Sequence, residues 1–239
     1  MILHFTDFGW QGPYLGEMEA VLLRGTPEVP VVRLMADAPA FDPEGAGLLL
    51  ARLFLRTAPG DLLLAVVDPG VGTSREALAV EADGRWLVGP DNGLFEHVLR
   101  GARTVRAHRI AWRPADLSAS FHGRDLFAPV AARLARGDDA GIEPHPPTRF
   151  PDWSDEPPRV VYADGYGNLM TGLDAARTSR DAVIEAAGRR VRHARTFGEA
   201  WPGEPFWYGN SLGLVEVALR EASAAAVLNL APGAPVRRA

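Results

Sequence analysis

Apolar positions in the first half of the chain change period repeatedly, and each change marks a new element. Ile2 to Phe5 is a short apolar strand that runs into Thr6-Asp7-Phe8-Gly9. From Leu15 to Leu23 the residues Leu15, Met18, Val21 and Leu22 fall on one face of a helix. Val29 to Leu34 returns to strand spacing, and Pro43 to Leu55 reads as a helix capped by Asp42, with Glu44 in its first turn. Leu62 to Val67 is an unbroken apolar run, the pattern of a strand buried on both faces. Ala77 to Val80 and Trp86 to Val88 flank Asp83-Gly84, a hairpin turn pair. Leu94 to Leu99 and Leu126 to Ala135 predict two further helices. The rhythm predicts an α/β fold: residues 1–150 form a mostly parallel sheet wrapped by helices.

The pattern breaks from Gly137 to Pro158. Asp138-Asp139 and Pro144, Pro146, Pro147, Pro151, Pro157 and Pro158 predict a stiff, irregular connector. Beyond it, strands are expected at Arg159 to Tyr162, Val183 to Ala186, Phe206 to Tyr208 and Ala225 to Leu230, with one helical stretch from Leu214 to Glu221. Residues 151–239 therefore read as a smaller, mainly antiparallel β domain.

Composition narrows the function classes. A chain of 239 residues suits one large and one small domain. A formal net charge of -5 without any basic run argues against nucleic-acid binding. The lack of cysteine excludes disulfides, a thiolate nucleophile and a cysteine-based zinc site. The N-terminus has no basic segment followed by a long apolar one, and no apolar run approaches the ~20 residues of a membrane span. A cytoplasmic protein with no membrane partner is expected.

Chemistry concentrates on two Gly-rich loops, Val67-Asp68-Pro69-Gly70-Val71-Gly72-Thr73-Ser74-Arg75 and Ser120-Phe121-His122-Gly123-Arg124-Asp125. Together they supply a carboxylate, a guanidinium and an imidazole, a set suited to holding and polarising water. Asp7 and Asp68 both follow strands, where ligands bind in parallel sheets, and Asp7 is able to accept both hydroxyls of a ribose diol. Asp7 also reads as an Asx-turn at a strand end, and Asp68 as part of a structural loop with a surface ion pair. Phosphate-cradling motifs are absent. A metal site would have to gather Asp7, Asp68, Asp91, His122 and Asp125, which lack metal-ligand spacing, so no metal is expected. In the second half, Asp164-Gly165-Tyr166-Gly167-Asn168 and Tyr208-Gly209-Asn210-Ser211 with Glu216 read either as hairpins or as a surface for an aromatic, zwitterionic ligand.

Taken in order, these segments resemble the S-adenosyl-L-methionine hydroxide adenosyltransferase family, relatives of fluorinating and chlorinating enzymes that use the same substrate. The resemblance runs through Thr6 to Gly9, Val67 to Arg75, Gly89 to Gly93, Phe121 to Asp125, Asp164 to Asn168, and Asn210-Ser211 with Glu216. It implies hydrolysis of S-adenosylmethionine to adenosine and L-methionine without a cofactor. It further implies a homotrimer in which each site lies between the N-terminal domain of one subunit and the C-terminal domain of the next. By the same match Asp68, Arg75 and His122 would be catalytic. Asp7 would hold the ribose, with Phe41 and Phe121 lining the nucleoside pocket. Asp164, Tyr166, Asn168, Tyr208, Ser211 and Glu216 would line the C-terminal side. The halogenating relatives carry a Tyr-Pro-Ala-Thr-Gly type of loop where this chain has Asp68 to Gly72; a carboxylate there repels halide and suits water. Leu212 replaces the arginine that follows the matching serine in the fluorinating enzymes, and Tyr166 replaces the usual phenylalanine. The alternatives are a halide-dependent adenosyltransferase and a non-catalytic adenosine-binding protein.

Overall fold

The computed structural model describes residues 1–138 and 141–239; Asp139 of the expected connector lies outside them. The chain divides into two compact units, Met1–Pro151 and Asp152–Ala239.

The first unit runs β1 (Ile2–Thr6), α1 (Tyr14–Gly25), β2 (Val31–Met35), α2 (Pro43–Phe54), β3 (Leu62–Val66), β4 (Ala77–Ala82), β5 (Arg85–Pro90), α3 (Glu96–Gly101), β6 (Val105–Ile110), α4 (Ala128–Ala135) and β7 (Ile142–Pro144). Among the described residues its sheet has the order β2-β1-β3-β5-β4-β6-β7. The apolar run at β3 is buried throughout and flanked by parallel neighbours on both sides, as the sequence pattern requires. Asp42 caps α2 by accepting from Gly45 N at 3.0 Å.

The sheet is mixed, which corrects the expectation of a mostly parallel one. Pairs β1–β2, β1–β3 and β3–β5 are parallel, but β4 runs antiparallel to β5 and β6, and β7 antiparallel to β6. The cause is the hairpin at Asp83-Gly84. Both residues have positive φ (45° and 74°), so the chain reverses within two residues and β4 runs antiparallel to β5; β4 lies between β5 and β6. Part of the expected connector is also ordered edge strand, with Pro144 ending β7.

The next stretch is pinned by carboxylates near α3. Asp91 accepts from Thr148 N at 3.0 Å. Glu96, only 2% exposed, accepts from Arg100 Nε at 2.8 Å, Arg149 Nε at 2.9 Å and Phe150 N at 3.2 Å. Burial pushes the Glu96 carboxyl upward, but these donors outweigh it and bring it down to about 2. A carboxyl depressed in the folded state stabilises above its unfolded range and loses that contribution as the pH falls toward 2. Glu96→Gln is therefore expected to cost about 2 kcal/mol in urea unfolding at pH 7, with the gap to wild type closing below about pH 4. A constant gap across that range would contradict the ionic account.

The second unit contains β8 (Val160–Ala163), β9 (Leu169–Asp174), β10 (Ile184–Ala186), β11 (Arg189–His193), β12 (Phe206–Gly209), β13 (Leu214–Ala218), α5 (Ala224–Leu228) and β14 (Val236–Arg238). Its sheet, in the order β14-β10-β11-β12-β13-β9-β8, is antiparallel except for the β11–β12 pair. An antiparallel bridge between Arg159 and Pro235, beside its two end strands, nearly closes it into a barrel. Two expectations reverse here. Leu214 to Glu221 is mostly strand because Val215 and Val217 are β-branched and the whole of β13 is buried. Ala225 to Leu230 is mostly helix, capped by Ser223 (Oγ accepts from Ala226 N at 3.1 Å) and stopped by Asn229 at φ 52°.

Candidate active site

In the first unit the chain goes from β1 out to β2 and returns to β3 on the other side of β1. The carboxyl ends of β1 and β3 therefore face a crevice where the strand order reverses, the usual place for a ligand in such sheets. Thr6 pairs with Val66 in parallel register, so Asp7 and Asp68 emerge side by side. Burial raises the Asp7 carboxyl to about 6, its own backbone N–H opposes the rise, and the nearby charge of Asp68 adds to it.

Arg75 folds back over the Asp68 loop. Its Nε donates to Asp68 Oδ1 at 2.9 Å and Oδ2 at 3.0 Å, its Nη2 also donates to Oδ2, and both side chains are largely buried. The same Nη2 lies 2.8 Å from His122 Nδ1. A guanidinium cannot accept, so Nδ1 does, and the neutral ring carries its proton on Nε2. Burial and the Arg75 charge lower the His122 pKa and keep the ring neutral. Gly72, at φ 78°, lets the two loops meet: a Cβ there would stand 2.5 Å from the Ala119 carbonyl oxygen.

Asp7, Phe41, Asp68, Phe121 and His122 line one cleft, together with Phe8. Its volume of about 90 Å³ holds several waters but not a whole nucleoside. Phe41, 83% exposed, sits at φ 60°, an unusual conformation for a bulky residue and one found at functional sites.

A cavity of about 630 Å³ in the second unit is lined by Asp164, Tyr166, Asn168 and Tyr208. Asp164 is engaged by its own turn: Oδ1 accepts from Tyr166 N and Asn168 N at 2.9 and 2.8 Å, and Oδ2 from Asn168 Nδ2 at 3.0 Å. That turn leaves the Tyr166 ring 83% exposed. Glu216 is buried outside the lining; it accepts from the Tyr208 hydroxyl and from Asn210 Nδ2 at 2.8 Å. Burial and this bond raise the Tyr208 pKa, so the phenol stays protonated. Ser211 is exposed and does not line the cavity.

The sequence profile of the SAM hydroxide adenosyltransferase N-terminal domain matches residues 2–142, and that of the C-terminal domain matches residues 158–237. The chain belongs to the SAM hydroxide adenosyltransferase family. It is 40% identical over 256 residues to a Thermus thermophilus protein named (R)-S-adenosyl-L-methionine hydrolase, covering 99% of this chain and 98% of that one. A Salinispora arenicola protein of the same name is 37% identical over 248 residues, covering 97% and 95%. Among solved structures, an uncharacterized conserved protein from Thermotoga maritima superposes with a TM-score of 0.87 at 28% identity, covering 100% of this chain and 99% of that one. A conserved hypothetical protein from Thermus thermophilus gives 0.79 at 38%, with the same coverage.

Residues of this family member that motif reading missed include Phe8 in the first cleft and Phe197, Glu221 and Ser223 in the second cavity. Phe8 adjoins Asp7 within a motif already singled out, so it was within reach. Phe197 joins Phe206 (5.1 Å) and Tyr208 (5.6 Å) only through the fold. Among the described residues no group of three or more His, Asp or Glu side chains is placed to hold a metal ion, and no helix is long and apolar enough to cross a membrane.

The raised Asp7 pKa has a stability consequence. A carboxyl favoured in its protonated form by folding loses stability as the pH rises from about 4 to about 6, and the penalty persists above. Asp7→Asn is expected to gain on the order of 1 kcal/mol at pH 7.5, read by thermal unfolding, with no gain at pH 4. A loss of stability at pH 7.5 would contradict the assigned ionisation.

Proposed function

We propose that this protein hydrolyses (R)-S-adenosyl-L-methionine to adenosine and L-methionine, by attack of water on ribose C5′. The names and near-complete coverage of its relatives support the reaction. The observation that carries the mechanism is the joined Asp68–Arg75–His122 set at the edge of a small cleft shared with Asp7.

In this reading one water lies behind C5′, in line with the C5′–S bond. His122 Nε2–H donates to the water oxygen, and Asp68 accepts one of its protons through a lone pair that Arg75 leaves free. As the C–O bond forms, the C–S bond breaks, its electron pair goes to sulfur as a neutral thioether, and Asp68 takes the proton and later passes it to solvent. Positive charge thus moves from sulfur to the attacking oxygen. A carboxylate on the oxygen side stabilises the transition state more than the ground state. Arg75 holds Asp68 in place and keeps His122 in its donating tautomer. The leaving thioether needs neither an acid nor a metal.

Asp7, ionised, accepts the ribose hydroxyls, and Phe41 and Phe121 flank the sugar. The exposed Tyr166 ring and Asn168 offer the second cavity a stacking face and an amide for the base. The assembly follows the family resemblance: a homotrimer in which a neighbouring chain completes each site. Asp68 disfavours a halide as nucleophile, because a carboxylate in the nucleophile's place repels an anion.

The test is chromatography after incubating chelator-treated protein with each sulfonium epimer separately, with and without chloride. Adenosine and methionine in equal amounts from the R epimer, unaffected by chelator, are expected. A 5′-halo product would favour the halide reading, adenosine binding without turnover a sensor, and loss on chelation a metal enzyme.

A further inference from the structure

Arg124 touches neither the Asp68–Arg75 pair nor His122, yet it ties together three parts of the first unit. Its guanidinium lies 5.0 Å over the ring of Phe121. Its Nη1 donates to Glu17 Oε2 on α1 at 2.5 Å. Its Nε and Nη2 donate to Asp125 Oδ1 at 2.6 Å and Oδ2 at 3.0 Å, so both sides of the planar fork are engaged. Asp125 Oδ2 also accepts from Ser118 N at 3.1 Å, at the start of the loop that carries Phe121 and His122. Beyond that loop the backbone widens into a π-helical turn, Gly123–Phe127, a feature often found at functional sites.

Two further aromatic rings pack against Phe121. Tyr14, one turn before Glu17 on α1, meets it at 5.3 Å and 86°, and Phe8 meets it at 5.7 Å and 74°. The ring therefore has one charged planar face and two aromatic neighbours to fix its tilt. Gly123 packs close beneath: a Cβ there would stand 2.9 Å from Phe8.

We infer that Arg124 is a positioning residue for substrate binding: stacked on Phe121 and anchored to Glu17 and Asp125, it sets that ring as a wall of the cleft that takes the ribose. It acts through the ring and does not itself touch substrate. The inference rests on the reading of the cleft as the site of the substrate's ribose. A partly exposed ion pair alone contributes little to folding, whereas a planar guanidinium stacked on a ring has no substitute in a lysine ammonium.

The experiment compares wild type with Arg124→Lys, Arg124→Met and Glu17→Gln. Adenosine affinity is measured by calorimetry, kcat and KM with S-adenosylmethionine, and Tm by thermal unfolding. In Arg124→Lys and Arg124→Met the adenosine Kd and the KM are expected to rise together by about tenfold, with kcat within about threefold of wild type. Glu17→Gln shifts both constants the same way by less. A residue that only supports the fold would instead lower the active fraction, so kcat would fall at unchanged Kd and KM; that result overturns the inference. Wild-type affinity in folded Arg124→Lys overturns it too. Should Arg124→Met not fold, Arg124→Lys and Glu17→Gln carry the comparison. A wild-type chain that binds no adenosine removes the functional reading and this one with it. Adenosine binding by wild type with unchanged variants removes this one alone.

Discussion

Replacing Asp68 with asparagine is expected to lower kcat by about 10³-fold while adenosine binding stays within about threefold of wild type. The amide keeps the shape of the carboxylate and one acceptor for Arg75, so the loop that Arg75 clamps should survive. What disappears is the proton acceptor beside the attacking water and the negative charge on the oxygen side of the transition state. Adenosine, the product, makes no demand on either. The variant also carries a second signature. The Asp68 charge contributes to the raised pKa of Asp7, so the acid limb of kcat/KM, expected near pH 6 in wild type, should move to lower pH. A variant that turns over like wild type would remove Asp68 from the chemistry, and the water site with it.

Arg75→Met has the second large effect, and it is expected in both stability and rate. Both members of the pair are largely shielded, with side chains 9% and 5% exposed for Arg75 and Asp68. Removing one partner of such a pair leaves an uncompensated charge and costs about 3 kcal/mol or more. In a chain of this size that corresponds to a Tm lower by roughly 6–12 °C. The same change frees His122 Nδ1 from its donor at 2.8 Å. The ring is then able to adopt the other tautomer, in which Nε2 no longer donates to the water. Turnover should fall at least as far as in the Asp68 variant. Arg75→Lys retains the charge but not the fork, so it should recover part of the stability and little of the rate. Unchanged Tm and kcat in Arg75→Met would mean that the observed pair organises nothing.

Much of the first unit was legible because its strongest signals are local. The apolar run at Leu62 to Val67 becomes a strand over Leu62–Val66, and the Asp42 cap and the Asp83-Gly84 hairpin appear where the sequence puts them. The parallel character was overestimated because a hairpin fixes the direction of its own two strands and says nothing about where they insert. The insertion of β4 between β5 and β6 is a long-range choice. In the second unit β13 and α5 were exchanged for a different reason. Short apolar segments fit either period; what decides these two is the β-branched Val215 and Val217 within buried β13 and, for α5, the Ser223 cap and the Asn229 stop.

The candidate site divides in the same way. Asp68, Arg75 and His122 lie on two loops whose glycines announce close backbone approach, and the structure joins the three by hydrogen bonds. Asp7 joins them because β1 and β3 are parallel neighbours in register. Asp164 and Glu216 drew attention as carboxylates, yet their oxygens are engaged by nearby turn and strand groups; hydrogen-bond partners of that kind are set by folding and leave no mark on spacing. Phe197 enters the second cavity from a segment without motif character.

The direct measurement is a turnover in ¹⁸O-enriched water, with chelated protein and S-adenosylmethionine, followed by mass analysis of both products. In-line hydrolysis at C5′ predicts one heavy oxygen in the 5′-hydroxyl of adenosine and none in methionine, in equal molar amounts. Label in the amino-acid product, or adenosine that forms without label, would mean that solvent is not delivered to the sugar carbon by these loops.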